Sequence, residues 1–220
     1  MQTIDKSKPV MVTGATGYVA GWLVKKLLDE GLTVHAMVRD PSNQQKLAHL
    51  DAIAASAPGS IKYFAADLLT AGAYDEGMQG CELVFHTASP FTLRIKDAQR
   101  DLVDPALQGT RNVLEAVQRT ASVKRVVLTS SCAAIIGDAL DCEAYPGGMG
   151  TEAQWNHSST VDHEPYSYSK TVAEQEAWKM VAGQQRWDLV VINPSLVLGP
   201  CLNADATSES FKLFRQLGNG

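Results

Sequence analysis

Val10-Met11-Val12-Thr13-Gly14-Ala15-Thr16-Gly17-Tyr18-Val19-Ala20-Gly21 sets the reading of everything around it. An apolar run ends at Val12, glycines follow at 14 and 17, and helix-compatible residues continue to about Glu30. A strand, a tight glycine turn and a helix in that order are what a protein uses to hold a pyrophosphate. Gly14 can take the positive φ of the turn, and the bare backbone at Gly17 lets phosphate oxygens come close. The helix then points its free N–H groups and the positive end of its dipole at the anion. Ala20 fills the third small position of a Gly-x-x-Gly-x-x-Ala spacing, where helix and strand pack closely. Thr16 and Tyr18, on either side of Gly17, belong to the same candidate loop. On these residues alone an ordinary glycine turn fits as well, so the remaining chain has to discriminate.

Downstream, helical and strand patterns alternate. Trp22, Leu23, Leu27 and Leu28 carry helical spacing up to Gly31, and Thr33 to Val38 reads as a second strand. In a strand–helix–strand unit the adenosine ribose lies at that strand's tip, where an Asp or Glu would bind both hydroxyls. Here the tip is Val38 followed by Arg39. A guanidinium pairs with a phosphate and stacks on adenine, so Arg39 predicts a preference for NADP(H). The alternative is a solvated Arg39 with Asp40 taking the ribose. A helix is expected from Ser42 to about Ala57 and a third strand from Ile61 to Ala65, with Asp67 and Leu68 after it as candidates for the adenine edge. Glu82 to His86 is a fourth strand, ending in Thr87-Ala88-Ser89, small residues that suit a flat cofactor. His86 reads as a packed strand histidine. A helix from about Asp97 to Arg119 and a fifth strand, Lys124 to Thr129, follow. The alternation predicts an α/β fold with a doubly wound parallel sheet. The polar first ten residues are expected to fray, except where Pro9-Val10 enters the first strand. Residues 138–163 break the rhythm with a long connection containing Gly147-Gly148, and such connections are usually functional or mobile.

Composition narrows the class. The chain has 220 residues, 45% hydrophobic and 20% charged, which suits a globular domain with a full core. A net charge of -5 argues against nucleic acid or an anionic membrane as the main partner. Four scattered cysteines without C-x-x-C spacing read as free thiols in a reducing compartment, so a cytoplasmic protein is expected. The apolar stretch Leu189 to Ala204 is interrupted by Pro194, Gly199 and Pro200 and does not read as a membrane span. The five histidines show no metal spacing, so no metal is expected.

The chemistry is carried by Tyr166-Ser167-Tyr168-Ser169-Lys170. Tyr166 and Lys170 share one face of a helix, and Thr129-Ser130-Ser131 lies at the tip of the strand upstream. A phenol, an ammonium and a hydroxyl beside a nicotinamide make a carbonyl-reduction site, the phenol giving its proton to the oxygen as hydride arrives. An unperturbed tyrosine has a pKa of about 10, and bringing it near 7 takes about 4 kcal/mol. An ammonium at ~4 Å offers about 1 kcal/mol in water and about 4 kcal/mol at an effective dielectric near 20. Lys170 is therefore expected to lower Tyr166 only in a partly desolvated cleft, helped by the oxidised cofactor's positive ring.

Taken together, Thr13-Gly14-Ala15-Thr16-Gly17, a serine after the fifth strand and Tyr166-x-x-x-Lys170 resemble the extended short-chain dehydrogenase/reductases. Val38-Arg39-Asp40-Pro41, His86-Thr87-Ala88-Ser89-Pro90-Phe91, Gly109-Thr110-Arg111-Asn112-Val113-Leu114 and Lys170-Thr171-Val172-Ala173-Glu174 are similar to the branch of dihydroflavonol and cinnamoyl-CoA reductases and related aldehyde and ketone reductases. Ile192-Asn193-Pro194-Ser195, followed by Gly199-Pro200, is similar to the segment that meets the nicotinamide end in that branch.

The resemblance implies a Rossmann fold and a catalytic set of Ser131, Tyr166 and Lys170, with Ser131 preferred to Ser130. It implies NADP(H) contacts from Gly14, Thr16, Gly17, Tyr18, Arg39, Asp67, Leu68, Ala88, Tyr166, Lys170, Pro194 and Ser195. It also implies B-face hydride transfer to a small-molecule carbonyl substrate, and a homodimer. Residues 1–193 would form the dinucleotide-binding domain and 194–220 the start of a substrate-binding region that breaks off at Gly220. Where dihydroflavonol reductases carry an Asn that holds the flavonoid, this chain has Ile135-Ile136-Gly137, which argues against a flavonoid substrate. The alternatives are a nucleotide-sugar epimerase or dehydratase on the same fold, against which Arg39 and Cys132-Ala133 speak, and an NADP(H)-sensing binding protein without catalysis.

Overall fold

In the computed structural model, which describes residues 2–89 and 95–203 together with Gln216 and Gly218, β1 (Val10–Thr13) is wholly buried. Its apolar run has no polar side to turn outward, as befits a strand covered on both faces. Val10 and Val12 point to one face, into a core with Val24, Leu28, Val34 and Leu50, and Met11 points to the other, towards Val84, Val113, Val117 and Val126. The period of two thus feeds two cores with one strand.

β2 (Thr33–Val38), β3 (Ser60–Ala65), β4 (Leu83–His86), β5 (Arg125–Thr129) and β6 (Asp188–Ile192) complete a parallel sheet in the order β3-β2-β1-β4-β5-β6. The order reverses between β1 and β4, and the crevice outside the carboxyl ends of the strands at such a switch point is where ligands bind. α1 (Tyr18–Asp29) and α2 (Gln44–Ser56, capped by the Asn43 side chain) pack together, and α4 (Asp104–Arg119) packs against α5 (Pro165–Ala182). A single short turn, α3 (Asp75–Met78), precedes β4.

Two expectations need correction. The helix expected from Asp97 begins instead as a π-helical turn, Gln99–Val103, with α4 proper starting at Asp104. Pro105 has no N–H to donate back into the preceding turn, so regular α-helical bonding cannot run through it. The first described residues are tied down rather than loose: Asp5 N–H donates to Glu82 Oε2 at 2.9 Å and Gln2 Nε2 to the Arg186 carbonyl at 2.7 Å. The long connection, expected to be functional or mobile, carries its own hydrogen-bonded turns. Two 3₁₀ segments, Ala139–Ala144 and Pro146–Gly148, are followed by a buried Asn156 that donates to Ala133 O and to Ser159 Oγ, both at 2.8 Å. Pro90 and Phe91, and most of the expected substrate region (204–215), lie outside the described residues.

Candidate active site

The glycine turn has the conformation its sequence predicts. Gly14 has φ +63° and presses on Ala88, so that a Cβ there would sit 3.1 Å from Ala88 Cα. Gly17 caps α1 with extended backbone, and its own Cβ would meet Gly14 O at 3.1 Å. No side chain caps α1 and its first turn holds no acid, which leaves its leading N–H groups and dipole for an anion. Thr16 is half-buried beside this cradle. The Tyr18 hydroxyl donates to Gly199 O at 2.9 Å, and Trp22 Nε1 donates to Pro200 O at 2.9 Å. The segment after Ser195 therefore runs from the β6 tip to the start of α1.

At the β2 tip, Asp40 Oδ1 accepts from Ser42 N at 2.9 Å and Ser42 Oγ at 2.6 Å, while Arg39 is exposed. Asp67 folds its own turn by accepting from Leu69 N at 2.9 Å, and the Leu68 carbonyl is held by Asn112 Nδ2 at 2.8 Å. Leu68 rests on Gly109, where a Cβ would lie 2.6 Å from Leu68 Cγ.

A buried network not singled out by the sequence joins β1 to β4. Thr13 Oγ1 accepts from Thr87 N at 3.1 Å and Ala88 N at 3.0 Å, and lies 3.0 Å from His86 Nδ1. With both lone pairs taken, the hydroxyl gives its hydrogen to Nδ1, so neutral His86 carries its proton on Nε2. Burial, and secondarily the Lys170 ammonium, bring its pKa down to about 4. His86 is therefore a packed histidine, but one that orders the Thr87-Ala88 tip.

His86, Leu68, Ala88, Ser89, Lys170 and Glu174 are among the walls of a cavity of roughly 360 Å³, counted with its open mouth. Ser130 rather than Ser131 is in its wall. Ser131 and Tyr166 meet beside it, the Ser131 side chain hydrogen-bonded to the phenol. Ser131 Oγ also accepts from Ala133 N at 3.2 Å, which orients it at the head of the 3₁₀ turn Cys132–Ala134. Lys170 Nζ lies 5.5 Å from the centre of the Tyr166 ring and donates to Ser89 Oγ at 2.7 Å.

Burial lowers the Lys170 pKa to about 8. Burial pushes the half-buried Tyr166 phenol above its ordinary value, with the Ser131 hydrogen bond opposing. The Lys170 ammonium is directed at Ser89, and it is burial and the Ser131 bond that act on the Tyr166 phenol. Pro194 is half-buried and its carbonyl accepts from Cys132 N at 3.0 Å, whereas Ser195 is exposed beyond the β6 tip. Of the sequence-predicted cofactor residues, Leu68, Ala88 and Lys170 border the cavity. Gly14, Thr16 and Gly17 form the cradle, and Arg39 and Asp67 stand at neighbouring strand tips.

Among the described residues, no group of three or more His, Cys, Asp or Glu side chains could hold a metal ion, and all four cysteines are free thiols. No described helix is long and apolar enough to cross a membrane.

A family model described as the NAD dependent epimerase/dehydratase family matches residues 10–219. The chain is 44% identical to cinnamoyl-CoA reductase CAD2 of Medicago truncatula over 92% of this chain and 61% of that protein. It is 37% identical to a bifunctional dihydroflavonol 4-reductase/flavanone 4-reductase of Malus domestica over 90% of this chain and 56% of that protein. The yeast methylglyoxal/isovaleraldehyde reductase Gre2, solved with NADPH, superposes with a TM-score of 0.81 at 30% identity, covering 96% of this chain and 66% of that one. The chain thus spans about three fifths of the length of the curated relatives it matches.

Proposed function

The chain belongs to the NAD dependent epimerase/dehydratase family, the extended short-chain dehydrogenase/reductases, with relatives in the dihydroflavonol and cinnamoyl-CoA reductase branch; on that premise we propose that it is an NADPH-dependent reductase of a small aldehyde or ketone. The observation that carries this reading is the meeting of Ser131, Tyr166 and Lys170 beside a cavity at the carboxyl edge of the sheet.

The residues present fit the dinucleotide. The uncapped α1 and the Gly14–Gly17 turn would hold the pyrophosphate, and the exposed Arg39 guanidinium a 2′-phosphate. Asp67 and Leu68 would border the adenine, and Ala88, Pro194 and Ser195 the nicotinamide end. When bound, NADPH supplies a hydride to the carbonyl carbon.

The chain's own groups do the rest. The Tyr166 phenol, held protonated by burial, gives its proton to the carbonyl oxygen, so that the product is an alcohol. The Ser131 hydroxyl holds that oxygen and the phenol in line. Lys170, with a pKa of about 8, keeps a cation at the site near neutral pH and draws the phenol's electrons down as the proton leaves.

The test uses the full-length protein with NADPH and a panel of isovaleraldehyde, methylglyoxal, a dihydroflavonol and cinnamoyl-CoA, following NADPH absorbance. Oxidation with at least one panel member is expected, and Tyr166→Phe should cut kcat by a factor of about 10² or more while NADPH binding survives. Wild-type turnover in Tyr166→Phe would sink the assignment. No turnover of any member by the wild type would favour a cofactor-binding protein without catalysis.

A further inference from the structure

Ser131 and Tyr166 come from different elements, and something has to keep the tip of β5 in register with α5. Main-chain bonds tie the β5 tip to β6, from Ser130 N to Ile192 O at 2.8 Å and from Cys132 N to Pro194 O at 3.0 Å. Between them stands Asn193. Its Nδ2 donates to the Ser131 carbonyl at 3.1 Å and to Glu174 Oε2 at 2.8 Å, one hydrogen for each. Glu174 lies on α5 one turn after Lys170, is buried, and borders the same cavity. Its other oxygen accepts from Trp178 Nε1 at 3.3 Å. A carboxylate only accepts, so it dictates that the Asn193 amide turns its nitrogen towards α5 and Ser131. The Ser131 carbonyl takes its second bond from Ala134 N at 2.9 Å and is then saturated.

We propose that Glu174 is a positioning residue: through the Asn193 amide it locks the Ser131 backbone, and with it the Ser131 hydroxyl, against the helix that carries Tyr166 and Lys170. The proposal rests on the Ser131, Tyr166 and Lys170 reading above. Both Glu174 oxygens are engaged by donors from the protein, which separates it from a carboxylate that exchanges protons with a substrate. Its effect is on alignment, and an ångström of misalignment between reacting groups is costly.

The experiment measures kcat, KM for NADPH and thermal midpoint on the full-length protein, with the panel member it turns over fastest. Glu174→Gln keeps the size but offers one acceptor oxygen where two donors converge. It should lower kcat by about ten- to a hundredfold and leave the NADPH KM within about twofold. In a Ser131→Ala background the same substitution should cost less than about twofold, because no hydroxyl remains to be aligned. Combining Glu174→Gln with Asn193→Asp lets the new amide donate to the new carboxylate, which restores the bond from α5 to the strand tip but leaves the Ser131 carbonyl with its Ala134 bond alone. The thermal midpoint should recover and kcat should not.

Unchanged kcat in Glu174→Gln, an equal loss in the Ser131→Ala background, or recovery of kcat in the paired variant would each overturn the proposal. Should Glu174→Gln not fold, Asn193→Ala removes the same bond to Ser131 and carries the same expectations. Tyr166→Phe, assayed alongside, keeps the two readings apart. Wild-type turnover there fails the catalytic assignment itself, whereas loss of turnover there with unchanged kcat in Glu174→Gln fails only the role given to Glu174.

Discussion

Two charged neighbours at the β2 tip have opposite fates. The Asp40 carboxylate is committed to the turn into α2, with Oδ1 accepting from both the main chain and the hydroxyl of Ser42. Arg39 is exposed, makes no hydrogen bond or ion pair among the described residues, and stands where a ribose 2′-phosphate would lie in this fold. A carboxylate drawn into its own loop is a poor ribose acceptor, and an uncommitted guanidinium a good phosphate ligand. Arg39→Ala is therefore expected to weaken NADPH binding by about 1.5–3 kcal/mol, one to two orders of magnitude in Kd, and to leave NADH nearly unchanged. Titration of both cofactors against the variant checks this. Equal losses for the two would mean that Arg39 supports the loop rather than the phosphate.

α4 depends on a residue far along the chain for its ending. Its last carbonyls have no partners within the helix, and the Arg186 guanidinium, just before β6, takes over that role. Nη1 donates to Thr120 O at 2.8 Å and Val123 O at 3.0 Å, and Nη2 to Val117 O at 2.6 Å and Gln118 O at 3.1 Å. A cation at the negative end of the helix adds to the hydrogen bonds. Arg186→Met keeps most of the stem and removes the donors, and should destabilise the fold by about 2–3 kcal/mol. For a domain of this size that lowers Tm by about 4–12 °C, readable by calorimetry. Arg186→Lys, with its charge but without the planar fork, should fall between the two. A melt of Arg186→Met within about 2 °C of wild type would show that water satisfies these carbonyls as well.

Where the strand order reverses, β1 and β4 are joined through Thr13 and His86, and this makes the stability of the whole domain sensitive to acid. His86 has an ordinary pKa of 6.5 and a folded value of about 4, because it is buried with Lys170 nearby. Between those two pH values the unfolded chain binds a proton that the folded chain refuses. The stabilisation is therefore fully present above about pH 6.5 and drains away as the pH falls towards 4, by about 3 kcal/mol in all. Denaturant unfolding across that range should show the loss, and His86→Asn, which retains an acceptor for the Thr13 hydroxyl, should flatten the curve. An unaltered acid slope in the variant would assign the loss to carboxylates instead.

Much of this molecule could be read along the chain because the controlling interactions are local. Gly14 is required by its own positive φ, β1 is buried throughout and apolar up to Thr13 because both its faces are covered, and Tyr166 and Lys170 share a face because a helix turns every 3.6 residues. Those features needed only neighbours a few residues apart. The Thr13–His86 pair, the Arg186 cap on α4 and the Glu174–Asn193–Ser131 tie join positions 73, 63 to 69, and 19 and 62 residues apart. No spacing rule links such residues, since their partners are chosen by strand order and helix packing. The protonation of the site belongs to the same class. Sequence spacing places an ammonium near a phenol, but desolvation, a product of the folded cleft, holds Tyr166 up and brings Lys170 down.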